Sequence, residues 1–578
     1  MLEFIQLLKQ RYRAVSSQIA NEAVKAVYQQ RIDRQIIAEA LMRKADMHTL
    51  YAGQPLQIAV VGPTQAGKST LVNLLLNSQQ AGVSPLAGYT VHAQGFYHAA
   101  SLDDCSGLRH FFSDYRQVAQ NQLSKDQLDC YALTDHAGQS HLLPECVVWD
   151  TPDFDSIGAA GYSEALMRTL ALADIVILVV SKEKYADQTV WDLMSMIETL
   201  RQPTLICVNK LAEGTESIVL RSLQEKWRLS RKDPCPAIIP LYYQACAKPV
   251  WPESEQRVVM QLAQQINRRK QSEALHDFLS RHWQEWLEPV YAEHRAMQEW
   301  RALVDDLIKQ ALQQYQNDYL NHPRYYETFQ NALAKLLTLL EIPGLAKILV
   351  GTRRMLTWPI RQMVKIGESQ ARITDSSHEM VLLNHLAEHL LIRMMDALLE
   401  KSEQNEEEAW WRSGIGVLRN RKPVILDEFN ATARRYHQHF QQDVENAAYR
   451  LYQKLQEQPY VLNGLRATRA TTDAAAVAIS LQAGGLGLHD LIVAPAMLSV
   501  TSFLAESAIG GYLHKVEAEL KQRQLQTVKQ TLFIECLQQA LTALPAQMPG
   551  ERYFNIAPER LEQAELQLKH KKHGLRLL

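Results

Sequence analysis

The chain has 578 residues, of which 47% are hydrophobic and 21% are charged. By length and apolar content it is large enough for several buried cores in about three or four domains. Its formal net charge of −2 gives no basic field, which argues against a general nucleic-acid binder. The seven cysteines include no C-x-x-C pair, so reduced thiols in a cytosolic compartment are expected rather than a disulfide framework or a zinc site.

The first 48 residues repeat apolar side chains at helical spacing, and no proline or glycine occurs before Gly53. The pattern predicts a long N-terminal helix over residues 1–50 that packs on the helical region further along the chain. No signal peptide is expected, because the first residues lack a basic start followed by an apolar core of about 7–15 residues.

A phosphate-binding signature follows this helix. The β-branched run from Ile58 to Val61 predicts a buried strand, and residues 62–69 match G-x-x-x-x-G-K-[ST] before an apolar helical pattern. In this setting backbone N–H groups surround a phosphate, Lys68 places a positive charge at its β and γ oxygens, and the Ser69 hydroxyl ligates Mg²⁺. The predicted phosphate-binding residues are Gly62, Thr64, Gln65, Ala66, Gly67, Lys68, Ser69 and Thr70.

Four more apolar runs suit buried strands of the same sheet. They cover residues 146–149, 174–181, 204–211 and, more weakly, 237–248, and helical patterns separate them. Such a βαβ series predicts an α/β P-loop domain with a mostly parallel sheet and flanking helices. Asp150 directly follows the first of these runs, at the position from which a carboxylate of P-loop enzymes reaches Mg²⁺ through water.

The motifs occur in the order typical of translation-factor-class GTPases, and the chain resembles this class over roughly residues 55–250. The matching segments are GPTQAGKS at 62–69, Thr90 in LAGYTVH, DTP at 150–152, Asn209-Lys210 and ACAK at 245–248. Within the class, the length and the helical remainder resemble the bacterial dynamin-like large GTPases. The resemblance implies GTP and GDP as ligands, Mg²⁺ as cofactor and GTP hydrolysis as the activity.

The same resemblance implies roles for single residues. The implied catalytic residues are Gln65, which would position the attacking water, Lys68, and Thr90, which would close on Mg²⁺ and the γ-phosphate. The implied metal contacts are Ser69, Thr90 and, through water, Asp150. The implied base contacts are Asn209, Lys210, Ala247 and Lys248.

Two positions depart from the family pattern. Asp153 replaces the glycine of Asp-x-Pro-Gly; its backbone N–H still serves the γ-phosphate, so it stays among the nucleotide-binding residues, but its carboxylate adds like charge. This predicts slow turnover or a carboxylate that turns away. Ala212 replaces the Asp that accepts hydrogen bonds from guanine, which predicts weaker guanine selectivity unless Glu213 takes its place.

Beyond the GTPase motifs the pattern is helical over residues 272–340, 376–402 and 424–458, without competing strand-like alternation. It predicts a large all-α bundle or stalk of long antiparallel helices over residues 271–470. The charge-dense run at 400–409 is expected to be a solvated helix end or loop, because like charges repel each other.

A basic apolar segment at residues 342–367 interrupts the polar bundle pattern. It contains five Lys or Arg residues and no acid, together with Trp358. Two interpretations fit this composition. The segment lies on an anionic membrane surface, or it is a connector packed in the stalk with its arginines paired to acids elsewhere.

A second apolar segment, residues 473–513, contains two predominantly apolar runs, each 15 residues long, joined at His489-Asp490. Each run gives about 22 Å of helix, which is shorter than a hydrocarbon core of about 30 Å, so two transmembrane helices are not predicted. The preferred interpretation is a helical hairpin that dips into one leaflet at the far end of the stalk, and the alternative is a hairpin buried in the helical core. The candidate membrane contacts are Leu491, Ile492, Leu498 and Phe503.

The patterns together predict a chain of five parts. These are an N-terminal helix at 1–50, a P-loop GTPase domain at 51–270, a helical stalk at 271–470, an apolar hairpin at 471–515, and a returning helix with a basic tail at 516–578. The leading function is a dynamin-like GTPase that couples the nucleotide cycle to membrane association or remodelling. It would act in the cytoplasm, bound peripherally to lipids at the inner face of a membrane, with self-association or a related GTPase as partner and no nucleic acid. The alternatives are a regulatory switch GTPase acting on a protein partner, and a P-loop ATPase or degenerate nucleotide binder.

Overall fold

The structure is a computed structural model of the chain. It describes residues 1–51, 53–83, 90–100, 105–124, 126–136, 138, 140–154, 163–212, 214–231, 233–242, 250–322, 327–339, 378–404, 408–464, 504–549 and 553–571. The chain divides into two compact units, residues 1–291 with 551–578 and residues 292–550. The five-part division given above remains a prediction.

An eight-stranded sheet lies at the centre of the first unit. In spatial order its strands are β3 (Arg116–Val118), β4 (Cys130–Asp135), β2 (Ala93–His98), β5 (Cys146–Asp150), β1 (Leu56–Val61), β6 (Ile175–Ser181), β7 (Thr204–Leu211) and β8 (Ala237–Tyr242). The strands from β5 to β8 in this order run parallel, and β2 pairs with β5 in the antiparallel direction. The predicted α/β class with a mostly parallel sheet is confirmed.

The sequence patterns do not predict β2, β3 and β4. Gly95 interrupts the apolar pattern of β2, because a Cβ there would lie 2.8 Å from Leu133 and 3.1 Å from Trp149, whose side chains fill the space. Strand β3 has only three residues and lies at the sheet edge, where no buried face imposes a pattern.

The carboxyl ends of the central parallel strands meet at one edge of the sheet. The residues paired there are Val60 with Asp150, Val61 with Leu178, and Ser181 with Asn209. In open α/β sheets ligands bind outside this edge. The predicted phosphate, metal and base contacts that the structure describes therefore converge on one region.

The first unit also contains helices. They are α1 (Leu2–Ser16), α2 (Glu22–Leu50), α3 (Lys68–Leu76), α4 (Ser106–Phe111), α5 (Ser163–Leu172), α6 (Gln188–Leu200), α7 (Glu216–Ser230), α8 (Val258–Gln264), the first half of α9 (Arg268–Tyr315) and a C-terminal helix (Pro558–Lys571).

The N-terminal segment forms two helices rather than the single predicted one. Helix α1 ends at Ser16, and Asn21 caps the start of α2: its Oδ1 accepts hydrogen bonds from the N–H groups of Ala23 at 2.9 Å and Val24 at 3.4 Å. Both helices belong to the first unit, where the Tyr12 hydroxyl donates to the carbonyl of Trp286 in α9 at 3.0 Å.

A buried group of charges holds α1 and α2 against α5. The Glu39 side chain is 1% exposed, accepts hydrogen bonds from Lys9 and Arg43, and lies 3.8 Å from Arg168 of α5. Burial alone would raise the pKa of Glu39, but Lys9 and Arg168 lower it to about 2. The first two helices are thereby fixed to the helix that follows residues 150–153 in the chain.

The second unit consists of long helices. They are the rest of α9, then α10 (Glu327–Leu339), α11 (His378–Gln404), α12 (Glu408–Gln456), α13 (Gly510–Thr527) and α14 (Gln539–Thr542), with π-helical segments at Gln316–Leu320 and Val528–Gln538. The predicted large helical region is confirmed.

Helix α12 begins earlier than the pattern predicts and passes through Pro423. A proline inside a helix removes a backbone hydrogen bond and costs about 3 kcal/mol. Apolar burial on both sides of the proline offsets this cost. The buried residues are Trp411, Leu418, Ile425 and Phe429.

A buried carboxylate joins four helices of the second unit. Glu379 in α11 is 2% exposed, and its Oε1 accepts hydrogen bonds from Tyr315 of α9 at 2.6 Å, Tyr436 of α12 at 2.8 Å and Gln524 of α13 at 2.8 Å. Burial, with the charge of Glu379, raises the pKa of both tyrosines well above the ordinary value. Both hydroxyls therefore remain donors at neutral pH.

The two segments with predicted membrane contacts fall largely outside the described residues. This applies to residues 342–367 and to residues 473–503, with Leu491, Ile492, Leu498 and Phe503. Among the helices that the structure describes, none combines the length and the apolar character needed to cross a membrane. The six cysteines within the described ranges form no disulfide bonds with one another.

Candidate nucleotide-binding site

The loop between β1 and α3, residues 62–67, forms the centre of the site and depends on two glycines. A Cβ on Gly62 would lie 2.3 Å from the carbonyl oxygen of Val179, and a Cβ on Gly67 would lie 2.2 Å from Nδ2 of Asn209. Gly67 also has a φ of +98°, a conformation that residues with a Cβ avoid. The predicted catalytic residue Gln65 is exposed in this loop and has a φ of +61°.

The ammonium group of Lys68 is buried at the first residue of α3. It donates hydrogen bonds to the carbonyl oxygens of Gly62 at 3.0 Å and Pro63 at 3.3 Å, and to the carboxylate of Asp153. An ammonium group has three donors, and these acceptors take all three. The predicted lysine is therefore in place with an anion already beside it.

Ser69 and Asp150 are in direct contact. The Ser69 hydroxyl donates to Oδ2 of Asp150 at 2.7 Å, and the next residue, Thr151, donates its own hydroxyl to the carbonyl of Val60 at 2.8 Å. Burial raises the pKa of Asp150 to about 6; Ser69 and Lys68 oppose this effect, whereas Asp153 adds to it. The bond from Thr151 to Val60 thus connects the end of β5 to β1 beside the phosphate loop.

These residues fit a Mg²⁺ ion held next to a nucleotide phosphate. Oδ1 of Asp150 is buried and has no hydrogen-bond partner among the described residues, which leaves it free to accept from a water ligand of the ion. The Ser69 hydroxyl at the same carboxylate would supply a direct ligand. An ion bound there would neutralise phosphate charge. In the part of the chain that the structure describes, no group of three or more His, Cys, Asp or Glu side chains forms another candidate metal site.

Asn209, near the end of β7, links this strand to the phosphate loop. Its Nδ2 donates to the carbonyl oxygen of Ala66 at 2.9 Å, and its Oδ1 accepts from the N–H of Lys210 at 2.8 Å. The sequence motif predicts Asn209 as a base contact and does not show its bond to Ala66. No local signal could have shown it, because 143 positions separate the two residues.

The remaining predicted base contacts are only partly described. Ala212 is exposed, and its methyl group accepts no hydrogen bond. Glu213, Ala247 and Lys248 lie outside the described residues. The structure therefore places Asn209 and Lys210 at the carboxyl edge of the sheet, and the roles of the others remain predictions.

Thr90 precedes β2 in the chain, and its side chain is buried. In the register of the sheet, Gln94 of β2 lies opposite Asp150, so the chain enters β2 at the edge that carries the phosphate loop. The predicted closure of Thr90 on Mg²⁺ and the γ-phosphate remains a prediction. Thr64 is buried in the loop, and Thr70 is half-buried on α3.

Known GTPases resemble parts of this chain. Residues 57–210 match the family model of the 50S ribosome-binding GTPase. A stretch of 79 residues is 35% identical to the mitochondrial tRNA modification GTPase gtpbp3 of Dictyostelium discoideum. The match covers 12% of this chain and spans only 15% of the length of that relative.

Solved structures that resemble the chain include bacterial dynamins. One comes from work on an oligomerised bacterial dynamin pair and the long-range sensing and tethering of membranes; the likeness has 12% identity and a TM-score of 0.38 over 99% of this chain and 95% of that chain. Another is LeoA, a bacterial dynamin GTPase from ETEC, with 11% identity and a TM-score of 0.22 over 94% of this chain and 100% of that chain.

The site geometry and the family model agree on the same residues. The loop from Gly62 to Gly67, the buried Lys68 and the contact between Ser69 and Asp150 all lie inside the matched range. Residues 57–210 are therefore a P-loop GTPase domain, and the chain joins this domain to a large region of long helices.

Proposed function

We propose that the protein binds and hydrolyses GTP and, as a dynamin-like GTPase, couples the nucleotide cycle to membrane association or remodelling. One observation carries the nucleotide part: Lys68 and Ser69 stand at the start of α3, beside Asp150, within residues that match a GTPase family model. The long helices that follow this domain, together with the motif order, support the dynamin-like part.

Hydrolysis would depend on the placement of charge. The bond to the γ-phosphoryl group breaks with negative charge spread over its oxygens. Lys68 and the backbone N–H groups at the start of α3 stabilise that charge. Gln65, exposed in the same loop, would orient the attacking water, and Thr90 would complete the site from the segment before β2.

The proposed setting is the cytoplasmic face of a membrane. The protein would bind lipids peripherally through the apolar residues between 473 and 513, and it would self-associate or pair with a related GTPase. Nucleic acid is not a proposed partner, because the formal net charge of −2 provides no attraction for phosphate backbones.

Guanine selectivity distinguishes the proposed GTPase from a second candidate function, a P-loop nucleotide binder that accepts ATP. The exposed methyl group of Ala212 favours the second candidate. If Glu213 accepts hydrogen bonds from guanine, GTP should bind more tightly than ATP by about a hundredfold, because hydrogen bonds to a charged group contribute about 1.5–3 kcal/mol. Competition titration of both nucleotides measures this margin.

Two variants sharpen the selectivity test. Glu213→Ala should erase the margin, whereas Glu225→Ala, which removes the same side chain from an exposed position on α7, should leave it unchanged. Equal affinity of the unmodified protein for GTP and ATP would contradict guanine recognition and establish the second candidate.

Membrane binding is tested by sedimentation of the full chain with anionic liposomes. The protein should co-sediment, and a triple variant with Leu491, Ile492 and Leu498 changed to Asp should stay in the supernatant, because three charges oppose insertion into the leaflet. Nucleotide affinity of the triple variant should equal that of the unmodified protein.

A matched control places the same chemical change on exposed apolar residues elsewhere. Ile218, Leu229 and Leu566 are 71%, 89% and 47% exposed, and their joint replacement by Asp should leave co-sedimentation intact. If the first triple variant instead becomes wholly insoluble, the apolar segment is a buried core and the membrane function is wrong.

A further inference from the structure

The Asp153 carboxylate occupies the position of an anion at the phosphate loop. It follows β5 by three residues, at the point where the family pattern has a glycine. Asp153 is 8% exposed, and Lys68, 5% exposed at its side chain, donates to it. A glycine at this position has no side chain that could make the contact.

The backbone around this carboxylate is held in place. Thr151 is fully buried and bonded to Val60 of β1, and Asp150 is bonded to Ser69 of α3. Asp153 therefore comes after two residues whose side chains are bonded to neighbouring elements, and its carboxylate lies against Lys68. The contact between Asp153 and Lys68 is therefore made by two buried side chains and not by an exposed surface side chain.

Lys68 has no spare donor for a further anion. Two of its protons go to Gly62 and Pro63, which keep the side chain within the loop, and the third goes to Asp153. The oxygens of a nucleotide phosphate are acceptors for that same third proton in a P-loop. A phosphate and the Asp153 carboxylate thus compete for one donor, and like charges at close range exclude each other.

We propose that Asp153 is an internal competitor of the nucleotide phosphate, so that the nucleotide binds by exchange with this carboxylate at Lys68. The inference rests on the proposed nucleotide function and adds a residue that sets its affinity. The carboxylate neutralises the buried ammonium group of Lys68. Binding of GDP or GTP releases the carboxylate from Lys68.

The exchange predicts tighter nucleotide binding when the competitor is removed. When only a fraction of the protein molecules can bind a ligand, the apparent affinity is reduced by that fraction. If the contact between Asp153 and Lys68 is made in nine of ten molecules, Asp153→Asn should therefore bind nucleotide about tenfold more tightly. Asp153→Gly, which removes the whole side chain, should gain at least as much. The control Asp192→Asn removes the same charge from an exposed position on α6 and should change nothing.

Calorimetric titration of the full chain with GDP, with and without Mg²⁺, measures these affinities, and inorganic tripolyphosphate tests the phosphate part alone. All three titrations should show the gain, because the exchange occurs at the phosphate and not at the base. A gain by both Asp153 variants supports the exchange. Equal or weaker binding by both variants, or weaker binding only with Mg²⁺ present, would overturn it.

The outcomes also separate this inference from the proposed function. If the unmodified protein and the variants bind GDP with the same affinity, the nucleotide site stands and the exchange is wrong. If none of them binds GDP, the nucleotide site itself is wrong and the exchange falls with it. Thermal unfolding of each variant verifies that the GTPase domain is folded before either conclusion is drawn.

Discussion

Lys68→Ala is expected to reduce GTP turnover by about a hundredfold to a thousandfold, the range found when one electrostatic donor is removed from a reacting oxyanion. The side chain supplies a positive charge to the transferred phosphoryl group, and its bonds to Gly62 and Pro63 also brace the loop. The variant should therefore bind nucleotide more weakly as well. Phosphate release at saturating GTP and calorimetric titration measure the two effects separately.

A matched substitution distinguishes this effect from general loss of a lysine. Lys25 is exposed on α2, where it forms a surface pair with Glu22 at 3.4 Å, so Lys25→Ala should keep full turnover. Unchanged turnover in Lys68→Ala would remove the assignment of the phosphate site.

Gly67→Ala is expected to weaken nucleotide binding by about a hundredfold. The new Cβ would lie 2.2 Å from Nδ2 of Asn209, so the amide must move and give up its bonds to Ala66 and Lys210. Two lost hydrogen bonds cost about 1 kcal/mol each, and a side chain at this positive φ costs about 1 kcal/mol more. Nucleotide binding requires the loop in its present geometry, so restoring that geometry in the variant would reduce the free energy of binding by about 3 kcal/mol, a loss of about a hundredfold in affinity.

Gly53→Ala separates the collision from the backbone strain. Gly53 also has a positive φ, +75°, but no atom lies within 4 Å of the added Cβ. This variant should lose about 1 kcal/mol of stability and keep its nucleotide affinity. If both alanine variants bind nucleotide as tightly as the unmodified protein, the link through Asn209 has no role in the site.

The parts of the fold predicted from sequence are those with a strong local pattern. Strands β1, β5, β6 and β7 are continuous apolar runs because parallel strands under helices are buried on both faces. The phosphate loop is recognisable by its glycines, which have no Cβ to collide with neighbouring atoms. These atoms belong to Val179 beside Gly62 and to Asn209 beside Gly67. Local chemistry and tertiary contacts demand the same residues at these positions.

The parts that were missed depend on distant residues. Gly95 weakens the pattern of β2, yet it is fitted to Leu133 and Trp149 on neighbouring strands. The bond from Asn209 to Ala66 and the pair of Asp153 with Lys68 join segments far apart in the chain. The expectation that the Asp153 carboxylate either slows turnover or turns away did not anticipate a third possibility, which is that it pairs with the lysine of the loop.

The buried carboxylate of the second unit sets the axial alignment of its helices. A slide of α11 by one turn, about 5.4 Å, would take Glu379 away from Tyr315, Tyr436 and Gln524 together. A buried charge that loses its partners costs about 3–5 kcal/mol, so ratcheting of one helix past its neighbours is strongly opposed. A force that displaces any one of these four helices is consequently transmitted to the other three, and the four helices move together.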